Sequence, residues 1–370
     1  MSVSKIEAWT VRFPLRQPVV FESMSFTDRD YAVVRLTDSD GAQGVAYCLA
    51  RNAPVTATVA NIGRAAVGAD TALSERLWSQ LYGSTVTHGQ RGITLRALSL
   101  IDIALWDLRA KKVNQPLYQL LGGLRTTVPV SVGGGYYRER REAEDVADEL
   151  KAYVQQGFEH VKVPAGGQSP ANEERWLQLV RTALGADVEL AIDAHWSWRT
   201  VEAATAVMRR LDAFDLSWVE DPLLPEALVA SSELRRRIAT PIAIGDEQSG
   251  RWAYQNLIAL DAADIWRVDA TCVGGISEFQ KIAAIAATWG IQISTHIYPE
   301  IHVHCALADE AVDRIEYTDP EADIDLSFRF VSPMIKPTRG YAAAPTGPGL
   351  GIDLDWDLIE TTAVDRFTLE

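Results

Sequence analysis

The sequence predicts a parallel α/β barrel, and three observations carry that expectation. First, eight short apolar runs alternate with helical patterns: Val128–Val132, His160–Val163, Leu190–Asp193, Leu216–Glu220, Ile242–Gly245, Asp264–Val268, Gln292–Thr295 and Ile315–Tyr317. Second, three of these runs end in an acid: Asp193 in LAIDAHW, Glu220 in LSWVEDP and Asp246 in IAIGDEQ. Their gaps of 27 and 26 residues match one strand, one helix and two short loops. Third, charged residues end many of the other runs, which suits the active face of a barrel better than a doubly wound sheet.

The elements before the barrel read differently. EAWTVRFP and DYAVVRLTDSDGAQGVAYC form a strand and a hairpin, with Asp40-Gly41 as the turn. The stretch between them, RQPVVFESMSFTDRD, has no clear period and is expected to be a mobile loop. Residues 53–83 are helical in pattern. SLIDIALWDLRAKK carries a helical apolar stripe that stops towards Asn114-Gln115-Pro116, and LYQLLGG closes a short helix. Inside the barrel, EAEDVADELKAYVQQG and VEAATAVMRRLDAF are crossover helices. The tail PTRGYAAAPTGPGLGIDLD is rich in Pro and Gly and is expected to be an irregular return segment.

Composition bounds the function. The 370 residues allow a large core and two domains, and 47% apolar with 23% charged residues is ordinary for a globular protein. A net charge of −15 disfavours nucleic acid as a partner. A small anionic substrate remains compatible, because a metal site is locally positive. Cys48, Cys272 and Cys305 show neither a disulfide framework nor a zinc spacing. MSVSKIEAWTVRFPL lacks a signal-peptide core, and no apolar run reaches membrane-spanning length. The expectation is a cytoplasmic protein without a membrane partner.

Carboxylates on the ends of consecutive parallel strands converge, and hard oxygen donors with open positions suit Mg²⁺. Asp193, Glu220 and Asp246 are therefore candidate metal ligands. Lys162 ends the second barrel strand, where it faces the metal and a bound carboxylate. Asp269 and His296 end the sixth and seventh strands. A carboxylate on one imidazole nitrogen fixes the tautomer and raises the basicity of the other, so the pair reads as an oriented general base. Glu316 ends the eighth strand and, if protonated, donates to a developing oxyanion; a plain rim carboxylate is the alternative. His195 shares the side of Asp193 and is either an acid for a leaving hydroxyl or a substrate hydrogen-bonding group. His302 and His304 have the spacing of a metal pair but are expected on a loop or helix beyond the seventh strand, without chemistry. Trp196 and Trp198 read as packing or pocket wall. The VGGG and VGGIS runs lack a P-loop lysine or dinucleotide spacing and serve tight turns.

These segments together resemble the mandelate racemase-like group of the enolase superfamily, especially its acid-sugar dehydratases. ALSLIDIALWDLRAKKVNQPLYQLLGG resembles the linker into the barrel. AIDAHWSW, WVEDPLLPE and PIAIGDE resemble the three metal strands. RVDATCVGGISEFQKIA and GIQISTHIYPE resemble the base strands, and PGLGIDLD the C-terminal return. The resemblance implies an α+β capping domain over a (β/α)₇β barrel, a modified TIM barrel. Its expected bounds are 1–125 for the cap, 126–340 for the barrel and 341–370 for a segment returning to the cap. It implies Mg²⁺ on Asp193, Glu220 and Asp246, with Glu247 as the alternative third ligand. It also implies a small carboxylate substrate, removal of its α-proton, a metal-stabilised enediolate, and a homo-oligomer between dimer and octamer.

One departure narrows the chemistry. The group often carries Lys-x-Lys on the second strand, with the second lysine as a base; here the run is Lys162-Val163-Pro164, and proline cannot transfer a proton. One-base dehydration of an aldonate or aldarate to a 2-keto-3-deoxy acid is the leading expectation, supported by the Asp-x-His pattern at Asp193 and His195. A cycloisomerase or epimerase, and a non-catalytic ligand-binding barrel, are the alternatives. Specificity is expected from Phe21–Phe26 and Tyr47–Asn52. There Phe21, Met24 and Phe26 exclude water and Arg51 holds a distal carboxylate or hydroxyl.

Overall fold

A computed structural model of the protein describes residues 1–20, 25–138 and 141–370. The chain opens on three antiparallel strands, β1 (Val3–Val20), β2 (Ser25–Asp38) and β3 (Gln43–Leu49). Helices α1 (Val55–Ile62), α2 (Ser74–Ser84), α3 (Ile93–Lys112) and α4 (Leu117–Leu120) follow. The expected hairpin turn stands, with the Gly41 N–H bonded to the Asp38 carbonyl. The expected loop is largely strand instead: Val19 and Val20 of β1 pair with Phe26 and Ser25 of β2. The reason is cross-strand bonding, which needs no apolar period. Phe21 and Met24 lie outside the described residues.

The middle of each strand is buried at consecutive positions, Ile6–Trp9 of β1 and Asp30–Val34 of β2, so the sheet is covered there on both faces. The cap sheet rests on α3, most of whose residues are buried. The approach is close: a Cβ on Gly44 of β3 would stand 1.9 Å from the Ala104 carbonyl oxygen and 2.6 Å from the Leu108 nitrogen.

Eight parallel strands then close a barrel: β4 (Thr127–Gly133), β5 (His160–Pro164), β6 (Glu189–Asp193), β7 (Leu216–Glu220), β8 (Ile242–Ile244), β9 (Ile265–Trp266), β10 (Gln292–Ser294) and β11 (Val312–Thr318). Closure is the parallel pairing of β11 with β4. The crossovers are α5 (Ala143–Gln155), α6 (Pro170–Leu184), α7 (Val201–Leu211), α8 (Leu228–Arg235), α9 (Gly250–Leu260), the pair α10 (Ala270–Val273) and α11 (Ile276–Trp289), and α12 (Pro299–Ala306). No α-helix follows β11 before the tail, which gives the (β/α)₇β form. Inward positions of β6, β7 and β8 hold Ala191, Trp218 and Ala243, a small buried cluster of their own. The two alanines leave room for His160, whose ring lies 4.3 Å from Trp218.

The expectation for the tail needs correction only in part: residues 337–355 are irregular but for two short strands, and the chain on either side of them is ordered. It forms β12 (Val331–Ser332), β13 (Tyr341–Ala343), β14 (Asp353–Leu354), α13 (Trp356–Thr362) and β15 (Ala363–Leu369). β13 pairs antiparallel with the start of β4, and β15 adds to the cap sheet beside β1. Trp356 packs on Trp9 at 5.2 Å between ring centres. Phe330 joins Phe13, Tyr31 and Tyr47 of the cap in an aromatic cluster. The junction is polar as well: the Tyr47 hydroxyl donates to Glu300 at 3.1 Å, and the Ile335 N–H donates to the same carboxyl at 2.9 Å. Cys48, Cys272 and Cys305 are buried free thiols. Among the described residues no helix is long and apolar enough to cross a membrane.

Two outcomes follow from this packing. Gly44→Ala forces β3 off α3 and should cost roughly 1–3 kcal/mol in urea unfolding. Burial lifts the Glu300 carboxyl to about 7, against the ionising effect of the Ile335 N–H. An unfolded glutamate titrates near ~4.3, so the folded state holds the extra proton between these values. Stability should therefore fall as pH rises through that window, by roughly 4 kcal/mol in total, and level off above it. Unfolding at pH 5 and pH 8 should show this slope in the wild type and a smaller one in Glu300→Gln; equal slopes would refute it.

Candidate active site

Parallel strands in a barrel point their C-terminal ends at one mouth, and the side chains there converge. Asp193 and Glu220 end β6 and β7 in register with each other, and Pro164 of β5 pairs with Asp193. Asp246 follows β8 after Gly245, whose φ of +148° brings its α-carbon against the Arg267 backbone. A Cβ there would meet the Arg267 carbonyl oxygen at 2.7 Å, so the residue before Asp246 must be glycine.

Lys162 is buried among acids and is not a solvated lysine. Its ammonium lies 3.0 Å from Glu220, 3.3 Å from Asp193 and 2.9 Å from Glu316. Burial alone would lower its pKa; Glu220, Glu316 and Asp193 reverse this and hold it well above the usual lysine value. The sequence reading missed Arg267, which is fully buried and pairs with Glu220 at 3.0 Å and with Glu316. The signal was present: a charged residue inside the apolar run IWRV is tolerated only when paired.

These contacts correct the role expected of Glu316. Burial would raise its carboxyl, but Lys162, Arg267 and His296 outweigh burial and hold it well below the usual carboxylate range. It is an ionised acceptor and not a protonated donor.

Asp269 and His296 come together as a dyad. His296 Nδ1 is 3.0 Å from Asp269, and the other Asp269 oxygen accepts from the Thr271 N–H at 2.7 Å and the Thr271 hydroxyl at 2.8 Å. With Nδ1–H donating to Asp269, Nε2 carries the lone pair; it lies 3.6 Å from Asp246. Burial would lower the imidazole's pKa, but the Asp269 hydrogen bond and the Asp246 charge raise it overall. His302 stands behind the dyad on α12, accepting from the Ala270 N–H at 2.9 Å, and His304 bonds the Leu350 carbonyl. Both are structural, as their positions in the sequence suggest.

His195 follows Asp193 with φ +46°, its N–H bonded to the Asp193 carboxylate at 3.0 Å. Its ring packs 4.4 Å from Trp196 and faces Phe26 edge-on. Burial, with Arg51 nearby, lowers its pKa to about 4. A cavity of about 90 Å³ gathers His195, Lys162, Asp193, Asp246, His296 and Glu316, with Phe26, Arg29, Leu49 and Arg51 forming its cap wall. A larger cleft of about 930 Å³ runs along the cap–barrel seam but contains none of the acids Asp193, Glu220 and Asp246.

Asp246 and Glu247 face opposite ways. Glu247 is gripped by Arg51 and by Arg96 at 2.7 and 2.8 Å. Arg51 thus lines the cavity with one terminal nitrogen engaged by Glu247. Asp246 faces the cavity beside Asp221, a buried acid that the sequence reading passed over. Burial and the charges of Asp246, Glu220 and Asp193 raise the Asp221 carboxyl well above its usual value. Negative charge is thus in excess on this side of the mouth, and its acids offer hard oxygen donors, which fit Mg²⁺. Among the described residues no three acids or histidines already stand as a closed cage, since Lys162 holds Asp193 and Glu220.

A closed (β/α)₇β barrel under an α+β cap, with acids on three successive strands and an Asp–His dyad opposite, defines a fold and site of the enolase class. Residues 5–122 match the family described as the mandelate racemase/muconate lactonizing enzyme N-terminal domain, and residues 145–358 the enolase C-terminal domain-like family. The chain belongs to the mandelate racemase/muconate lactonizing enzyme family of the enolase superfamily. It is 30% identical to D-galactarolactone cycloisomerase of Agrobacterium fabrum, covering 97% of this chain and 98% of that one. It is 32% identical to arabinonate dehydratase of Saccharolobus solfataricus over 76% of each chain. L-Talarate dehydratase of Polaromonas sp. JS666, solved with Mg and L-glucarate, superposes with a TM-score of 0.89 at 26% identity, covering 100% of this chain and 99% of that one.

Proposed function

We propose that this protein is a Mg²⁺-dependent hydro-lyase of a sugar acid. It removes the proton α to a carboxylate and expels the β-hydroxyl as water; the resulting enol tautomerises to a 2-keto-3-deoxy acid. The observation that carries the reading is the Asp269–His296 dyad, whose Nε2 opens on the same cavity as Asp193 and Asp246. The kinship with arabinonate dehydratase and L-talarate dehydratase supports the substrate class.

Each residue has a distinct task. Asp193, Glu220 and Asp246 hold the metal, and Glu247 is left to the cap arginines. Bound there, Mg²⁺ supplies Lewis-acid stabilisation of negative charge on the substrate carboxylate. Lys162 adds a fixed positive charge beside that carboxylate, and Glu316 with Arg267 positions the ammonium. His296 Nε2 takes the α-proton while Asp269 holds the tautomer and stabilises the imidazolium. The leaving hydroxyl receives its proton from the His296 imidazolium, and His195, kept neutral by burial and Arg51, hydrogen-bonds that hydroxyl. Pro164 offers no base from β5, so the chemistry runs from one face.

Cycloisomerisation is the second reading, favoured by the relative in Agrobacterium fabrum that matches 97% of the chain. Opening a lactone by elimination expels a carboxylate, which needs the base but no protonating acid.

His296→Asn should cut α-proton exchange in D₂O by about 10²–10⁴-fold, the usual worth of a general base, while Mg²⁺ binding persists; retained exchange would move the base elsewhere. His195→Asn should slow dehydration and leave exchange, whereas loss of both would remove its role at the leaving hydroxyl. Chelation should abolish keto-acid formation and Mg²⁺ should restore it. At about 100 times its Kd the metal should add about 2.7 kcal/mol of stability, seen as a higher Tm; no shift would count against these ligands.

A further inference from the structure

The cap wall of the cavity carries two arginines, Arg29 and Arg51. Arg51 already has Glu247 as its partner. Arg29, on β2, has no carboxylate partner among the described residues. Its Nε donates to the Ile324 carbonyl at 2.7 Å, and its guanidinium carbon lies 4.2 Å from the centre of the Phe26 ring. Neither of its terminal nitrogens meets an acceptor, and no carboxylate forms an ion pair with it, among the described residues.

The acid in its neighbourhood is already engaged. Asp325 accepts from the Tyr31 hydroxyl at 2.5 Å and the Ser327 N–H at 3.0 Å on one oxygen, and from the Ser327 hydroxyl at 2.9 Å on the other. Burial lowers the Arg29 guanidinium below its usual value, and Tyr31 and Asp325 do not offset this. A half-buried guanidinium without a counter-charge is unfavourable unless a ligand supplies one. Its terminal nitrogens form a planar fork matched to two carboxylate oxygens. A hydroxymethyl end would leave the charge uncompensated.

We propose that Arg29 binds a second carboxylate at the far end of the substrate, which makes the substrate class the sugar diacids and not the monoacids. This rests on the sugar-acid reading above. It assigns to Arg29 the distal recognition that sequence reasoning placed on Arg51.

The test is equilibrium binding to the Mg²⁺-loaded full chain, using matched acids that differ only at the far carbon: galactarate with D-galactonate, D-glucarate with D-gluconate, and D-mannarate with D-mannonate. For the accepted stereochemistry the diacid should bind at least ~10-fold tighter, the range of one charge-assisted contact. Arg29→Gln should lower that ratio by a similar factor, and Arg29→Lys should keep part of it. A monoacid that binds as tightly as its diacid overturns the proposal, and so does a ratio unchanged in Arg29→Gln. The wild-type ratio decides alone if the variants do not fold. Exchange of the α-proton in D₂O, read on the same samples, separates the two readings. Diacid preference without exchange upholds Arg29 and sinks the lyase; exchange with monoacid preference does the reverse. Failure of every acid to bind overturns both.

Discussion

The barrel mouth depends on charge pairing in a space sealed from water. Lys162 and Arg267 are both buried, and neither would be tolerated there alone. Between them stand Glu220 and Glu316, each touching both cations. This arrangement fixes where strands β5, β7 and β11 bring their ends, and it sets the electrostatics of the dyad. It also explains the composition of the barrel interior. Small residues Ala191 and Ala243 line the lower part, so that a long lysine and a long arginine can lie inside the ring of strands.

The cap and tail matter to the site because they complete its wall. Phe26, Arg29, Leu49 and Arg51 come from the cap, and Ile324 and Asp325 from the segment that follows β11. Those parts are held together by Tyr31, whose hydroxyl reaches Asp325 and accepts from the Leu326 N–H, and by the aromatic cluster around Phe330. Tyr298, beside His296, accepts no role in chemistry but anchors the Leu49 N–H at 2.7 Å. The cavity is thus walled by a cap whose register is set by direct bonds to the barrel.

The barrel was legible because its signals are local: apolar runs of strand length, helical periods between them, and acids at fixed intervals. The Asp269–His296 pair was legible for the same reason, since both residues end strands. What escaped was set by contacts between distant segments. Nothing near Arg29 in sequence distinguishes it from Arg51; only the engagement of Glu247 with one and of Asp325 with Tyr31 separates them. The protonation state of Glu316 likewise depends on Arg267, which lies 49 residues away. The paired strands at Val19–Val20 and at the tail escaped because edge strands are chosen by available hydrogen bonds and not by apolar period.

Asp246 and Glu247 share a peptide bond yet serve different bodies. One faces the barrel mouth beside His296, and the other is clamped by Arg51 of the cap and Arg96 of α3. Gly245 pins this short lever, because its backbone lies against Arg267 with no room to slide. The clamp on Glu247 and the seat of Asp246 are therefore joined through one peptide bond. By thermodynamic reciprocity, whatever tightens the grip at one end must favour seating at the other. Ligand affinity at the mouth and the docking of the cap are two readings of a single mechanical joint.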